Sequence, residues 1–271
     1  MFKLLAFIVL LLLSTALGGQ KYLVSGETFG QRYGIDPTGL LLWLDQSDIS
    51  SYGDVANWYD LSGNAYHGAQ ATAGNQPAIA GADGLNGSTR NLDGGDYIDL
   101  TTHISNFSSL AGGTISLWFN VASSPAAFEA LIGMSDKDDA SSEAVLFVTS
   151  AGVVRFFTRD DGAAGLDLSS VGTYDDSLWH HAVFAVDANG NDLWVDSVSN
   201  NTYSTGTSST VKFFSNVTGA DSMLIGANQD SGGLQWYHTG LLASIQVFNR
   251  RLTAAEVTRL YLADKPRYGG L

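Results

Sequence analysis

From Gly39 to Asn249, short apolar runs alternate with clusters of Gly, Asn, Asp and Ser, and a single later stretch carries helical periodicity. This rhythm constrains the fold most, because a chain that meets turn residues roughly every 8–12 positions builds strands and hairpins. In Thr114–Val121, Ile115, Leu117, Phe119 and Val121 share one face, the pattern of a half-buried antiparallel strand. The other candidate strands are Leu40–Leu44, Tyr97–Leu100, Ala130–Met134, Ala144–Thr149, Val153–Thr158, His180–Val186, Leu193–Val198, Met223–Ala227 and Gly240–Phe248. Ser150-Ala151-Gly152 and Asp187–Asp192, the latter built around Asn189-Gly190, read as hairpin turns. Thr253-Ala254-Ala255-Glu256 is a capping box, followed by the docking stripe Val257, Leu260 and Tyr261. Many strands, one short C-terminal helix and no βαβ alternation predict an all-β antiparallel sandwich or barrel. The 31 Gly against 4 Pro suit tight turns between short strands.

The N-terminus divides from this pattern. Lys3, the ten apolar residues Leu4–Leu13 and the small residues that follow read as a signal peptide over residues 1–18. A membrane span needs about 20 apolar residues, so this run is too short to cross, and no second such run occurs. Secretion to the extracellular space, or to a virion or cell surface, is therefore expected, with no membrane span after signal cleavage. Residues 19–38 read as an N-terminal segment, 39–263 as the sandwich and 264–271 as a C-terminal tail. With no Cys, no disulfide supports the fold and no acylated cysteine can anchor it, which points to a microbial or viral source. Thirteen Lys and Arg face 27 Asp and Glu, for a formal net charge of −14. A phosphate backbone needs clustered cations, so nucleic acid is excluded as a partner.

Some of these residues form recognisable motifs. Leu40–Asp45 followed by Trp58-Tyr59-Asp60-Leu61-Ser62-Gly63-Asn64-Ala65-Tyr66-His67-Gly68 resembles the opening of laminin-G-like domains of the concanavalin A type. Gly95–Leu100, Trp179-His180-His181-Ala182-Val183, Leu193-Trp194-Val195-Asp196 and Val247–Thr253 continue the resemblance in order, over roughly residues 39–263. It implies a two-sheet jelly roll that binds carbohydrate or protein, in some members with Ca²⁺. The resemblance also implies an Asp on the last strand for a structural Ca²⁺, where this chain has Ala243.

Candidate sites lie in loops. Trp236 and Tyr237, after Asp230-Ser231-Gly232-Gly233, read as a loop-borne aromatic platform for a sugar, with a core-capping hairpin as the alternative. Asp136, Asp138, Asp139 and Glu143 form an acidic loop that supplies ligand-binding oxygens. Asp60 is the candidate Ca²⁺ ligand, since calcium takes six to eight oxygens, mostly from loops. The E-x-D-x-E strand of the fold's hydrolases is missing, as is a G-x-S-x-G elbow. Adjacent His180 and His181 point to opposite faces of one strand and share no site. The expectation is a secreted, non-catalytic module that recognises carbohydrate or a surface protein through rim loops. The alternatives are a structural unit of a virion, surface layer or filament, and a glycan hydrolase or lyase.

Overall fold

A computed structural model describes residues 27–48, 50–51, 53–80, 89–121, 125–199 and 201–268; the expected signal peptide lies outside them. The chain enters through a short helix, α1 (Phe29–Tyr33), and strand β1 (Leu40–Leu44). Short strands β2 (Asn57–Trp58), β3 (Gly68–Ala69) and β4 (Ala78–Ala80) precede β5 (Thr89–Asp93) and β6 (Ile98–Asp99). The central run is β7 (Gly113–Val121), β8 (Glu129–Ser135), β9 (Glu143–Val148), β10 (Val154–Asp160), β11 (Ala163–Ser170), β12 (His180–Asp187) and β13 (Gly190–Val195). Then follow β14 (Val198–Ser199), β15 (Asn201–Thr205), β16 (Ser222–Ile225), β17 (Asn228–Asp230), β18 (Gly233–Gln235), β19 (Thr239–Phe248) and the closing helix α2 (Ala254–Tyr268).

Seventeen of these strands form two large antiparallel sheets and β17 and β18 form a separate hairpin, so the expected sandwich is what folds. The eight-stranded sheet runs β14-β13-β12-β7-β19-β5-β4, with β1 also on β19; the nine-stranded sheet runs β15-β11-β10-β9-β8-β16-β6-β3-β2. Ile115, Leu117, Phe119 and Val121 all enter the core between the sheets, as their alternation requires. Phe156 of β10 stacks on Phe184 of β12, ring centroids 3.6 Å apart, joining the two layers directly. The predicted capping box forms: Thr253 Oγ1 accepts from Glu256 N–H, and the Glu256 carboxylate accepts from Thr253 N–H at 2.8 Å.

The domain extends past both expected boundaries. Phe29, Tyr33 and Ile35, within the expected N-terminal segment, are buried with Trp43, Val183, Trp194 and Phe248 on the outer face of the eight-stranded sheet. The helix likewise runs through Asp264 to Tyr268, inside what read as a tail, and both residues are buried. Polarity helped to hide these ends, because an ion network joins the apolar contacts that dock them. Arg32 pairs with Asp45, and Arg267 reaches both Asp45 at 3.2 Å and Asp264. Burial disfavours charge on Asp45, yet the Arg267 and Arg32 guanidiniums outweigh it and hold the carboxyl well below the usual range.

Candidate functional site

The outer face of the nine-stranded sheet carries the most distinctive surface. Alternation sends Ala144, Leu146 and Val148 of β9 into the core and leaves Val145 and Phe147 on the opposite face. On β10, Phe156 points inward while Arg155, Phe157 and Arg159 are half-buried on the outer side. Phe128, just before β8, completes the face.

A hairpin then folds onto this face. Asp230 pairs with Gly233 across a two-residue loop, Ser231-Gly232, and both loop residues have positive φ (48° and 75°), as a type I′ turn demands. The hairpin is fastened by Ser135 Oγ donating to Gln229 O at 2.5 Å and by Asn228 Nδ2 donating to Glu143 Oε2 at 2.6 Å. Trp236 follows with φ 53°, a strained value for a bulky residue, and its carbonyl accepts from Ala130 N–H at 2.7 Å. This backbone twist lays the indole 5.3 Å from Phe147 and edge-on, also at 5.3 Å, to Phe128. Strain held in place by packing commonly marks sites under functional constraint.

The result is an open depression of about 190 Å³ lined by Phe128, Phe147, Phe157, Trp236, Arg155, Arg159 and Glu143. Its charges are paired. Arg155 makes a two-pronged bond to Asp167, with Nε to Oδ1 at 2.6 Å, and its guanidinium lies 5.6 Å and 5.5 Å from the Phe147 and Phe157 ring centres. Arg159 donates to Glu143 at 2.8 Å and lies 3.8 Å from Asp230. Burial pushes the Glu143 carboxyl up, while Arg159 and Asn228 pull against that shift. Packed rings flanked by fixed polar pairs can hold a ring-shaped ligand by one face and hydrogen-bond its edge.

The expected site residues therefore separate. Trp236 and Glu143 meet in this depression. Tyr237 is half-buried but does not line it; burial and neighbouring Tyr97 raise its hydroxyl pKa. Asp136 and Asp138 lie in the β8–β9 loop, their carboxylates within 4.8 Å of each other and of Asp221. The Lys137 ammonium bridges Asp138 at 2.9 Å and Asp221, so this loop carries its own counter-ion. Asp139 accepts from Ser141 and Ser142 and braces the same loop. The hairpin tip rests there too, through Gly232 N–H on Lys137 O.

Asp60 is a loop clamp. It accepts from Trp43 N–H, Ser62 N–H, Ser62 Oγ and Tyr66 N–H at 2.7–3.0 Å, which leaves no carboxylate lone pair facing a cation. Ala243 is fully buried with Trp118 and Tyr268, and Trp118 stacks on Tyr261 at 5.6 Å. An Asp at this position would bury its charge under aromatic rings. His180 and His181 do face opposite ways: His180 bonds Asp196 and Asp176, whereas His181 bonds Ser116 Oγ beneath the Trp118 ring.

No helix among the described residues is long and apolar enough to cross a membrane. No curated protein sequence matches the chain. Among solved structures, the CBM40 of the Ruminococcus gnavus IT-sialidase bound to α2,3-sialyllactose superposes with a TM-score of 0.56 at 19% identity, covering 64% of this chain and 96% of that one. The Trypanosoma rangeli sialidase gives 0.56 at 16% identity, over 84% of this chain and 33% of that one. A NanB sialidase of Streptococcus pneumoniae gives 0.52 at 20% identity, over 64% of this chain and 27% of that one. This chain thus spans only about a third or less of either sialidase. The signature of the concanavalin A-like lectin/glucanases superfamily matches residues 92–258, more than half of the chain. With its two sheets and closing helix, the protein belongs to that superfamily.

Proposed function

We propose that the chain is a non-catalytic carbohydrate-recognition module that seats its ligand on the outer face of the nine-stranded sheet. The observation that carries this reading is the half-buried Trp236 held against Phe128 and Phe147 beside the Arg155–Asp167 and Arg159–Glu143 pairs. A sugar presents C–H groups on one ring face and hydroxyls around its edge. Aromatic faces, which carry negative charge, attract the C–H groups, and fixed polar pairs meet the hydroxyls. The fold neighbour from Ruminococcus gnavus is itself bound to a sialylated oligosaccharide, which supports a glycan ligand here. The acids of this face each hold an arginine, so none stands as a free acid–base pair across a groove. Export rests on Lys3 and the Leu4–Leu13 run; N-terminal sequencing of secreted material is expected to begin after residue 18.

Binding to an immobilised glycan array tests the site. Trp236→Ala is expected to weaken the strongest interactions about 10-fold or more, the loss of one aromatic contact surface. Binding unchanged by Trp236→Ala, or polysaccharide turnover abolished by Glu143→Gln, overturns the reading.

A further inference from the structure

The geometry points to an uncharged sugar, rather than a carboxylated one, as the ligand of the aromatic depression; this rests on reading that face as a sugar site. The deciding observation is the state of its two arginines. A carboxylated sugar is bound most strongly by a guanidinium free to offer two parallel N–H groups. Here Arg155 already spends Nε and one terminal nitrogen on Asp167, which is itself buried. Arg159 is engaged by Glu143, whose side chain is 1% exposed, and is flanked by Asp230.

Three carboxylates thus accompany two guanidiniums on this face. An incoming carboxylate would meet only the remaining N–H groups of guanidiniums already neutralised by Asp167 and Glu143, beside a third acid, Asp230, and like charge repels it. It would also approach a chain of formal net charge −14. A neutral ring meets no such repulsion. Its hydroxyls can accept from the remaining guanidinium N–H groups of Arg155 and Arg159, whose side chains are partly exposed, while its C–H face lies on Trp236 and Phe128. The paired arginines then set specificity by withholding their charge. This separates the site from that of the sialyllactose-bound neighbour, although the fold is shared.

The test is a matched panel: lactose, cellobiose and mannobiose against 3′-sialyllactose and a glucuronic-acid disaccharide, titrated into the full chain. At least one neutral probe is expected to bind at least about 10-fold more tightly than every carboxylated one. Its affinity should stay within about twofold between low and high salt, because no ligand charge is screened. Asp167→Asn, checked for an unchanged melting profile, should release Arg155 and narrow the gap. A carboxylated probe that binds the unaltered chain as tightly as the neutral ones, and loses affinity in salt, overturns this inference while leaving the sugar face standing. No binding by any probe removes the sugar face itself, and this inference with it.

Discussion

Tyr33 Oη donates to Asp264 at 3.1 Å, joining two residues 231 positions apart in the chain. The same carboxylate accepts from Ser244 Oγ at 2.6 Å and pairs with Arg267, with Arg32 3.6 Å away. Removing one partner of a buried ionic cluster leaves the others uncompensated, so Asp264→Ala should cost about 3–5 kcal/mol. Tyr33→Phe, which removes one neutral donor, should cost about 0.5–1.5 kcal/mol. Urea unfolding of both variants measures this, and equal losses would contradict a network centred on Asp264.

His181 should set the acid limit of stability. Burial holds its pKa down at about 4, against the opposing pull of Asp264 and Asp196. In the unfolded chain it returns to about 6.5 and takes up the proton that the folded state refuses. Stability therefore falls as the pH drops from about 6.5 to about 4, by about 3 kcal/mol in all. His180 works in the opposite sense. Burial opposes its charge, but hydrogen bonds to Asp196 and Asp176 outweigh burial and raise its pKa. Its contribution is full below about 6.5 and lost as the pH rises through the folded value. His181→Gln should flatten the acid-side slope; a variant as acid-sensitive as the parent chain rules the assignment out.

Much of this architecture was legible in the alternation. Ile115, Leu117, Phe119 and Val121 marked the core face, and Thr253 and Glu256 marked the start of α2. The chain ends were not legible, since Arg32, Asp264 and Arg267 look like solvated residues until Asp45 is brought beneath them. Trp236 was found because aromatics after a Gly-rich turn stand out. Phe147, Phe157 and Arg155 were not, because they sit in strands read for their core faces. A signal was present: Arg155-Phe156-Phe157-Thr158-Arg159 places a second phenylalanine among arginines on the polar face of β10. Strand β11 was missed because Gly165, Asp167 and Ser169 dilute its two core leucines, Leu166 and Leu168.

The acidic β8–β9 loop yields a prediction about calcium. Lys137 donates to Asp138 and Asp221 where a divalent ion would have to sit. A ligand that binds only the folded state raises its melting temperature by mass action. Millimolar Ca²⁺ should therefore leave the melting temperature unchanged, and a rise that Lys137→Met enhances would instead show ion and ammonium competing for these carboxylates.

Gly240 fixes how β19 leaves the Trp236 segment. Its φ is 151°, and a Cβ there would collide with the Asn120 carbonyl across the β7–β19 ladder. Gly240→Ala should cost at least about 1–3 kcal/mol, the scale of a strained backbone. If the register shifts to relieve the clash, indole fluorescence should report an altered Trp236 environment; unchanged stability refutes the steric account.

The clasp between α1 and α2 also determines how the molecule faces its surroundings. Both helices lie on the outer side of the eight-stranded sheet, and the aromatic depression lies on the outer side of the other. Phe29 and Tyr268 thus lie on the side of the sandwich away from Trp236. A support that gripped the molecule by this helical side would leave the depression open to a soluble ligand, like a lamp mounted by its base.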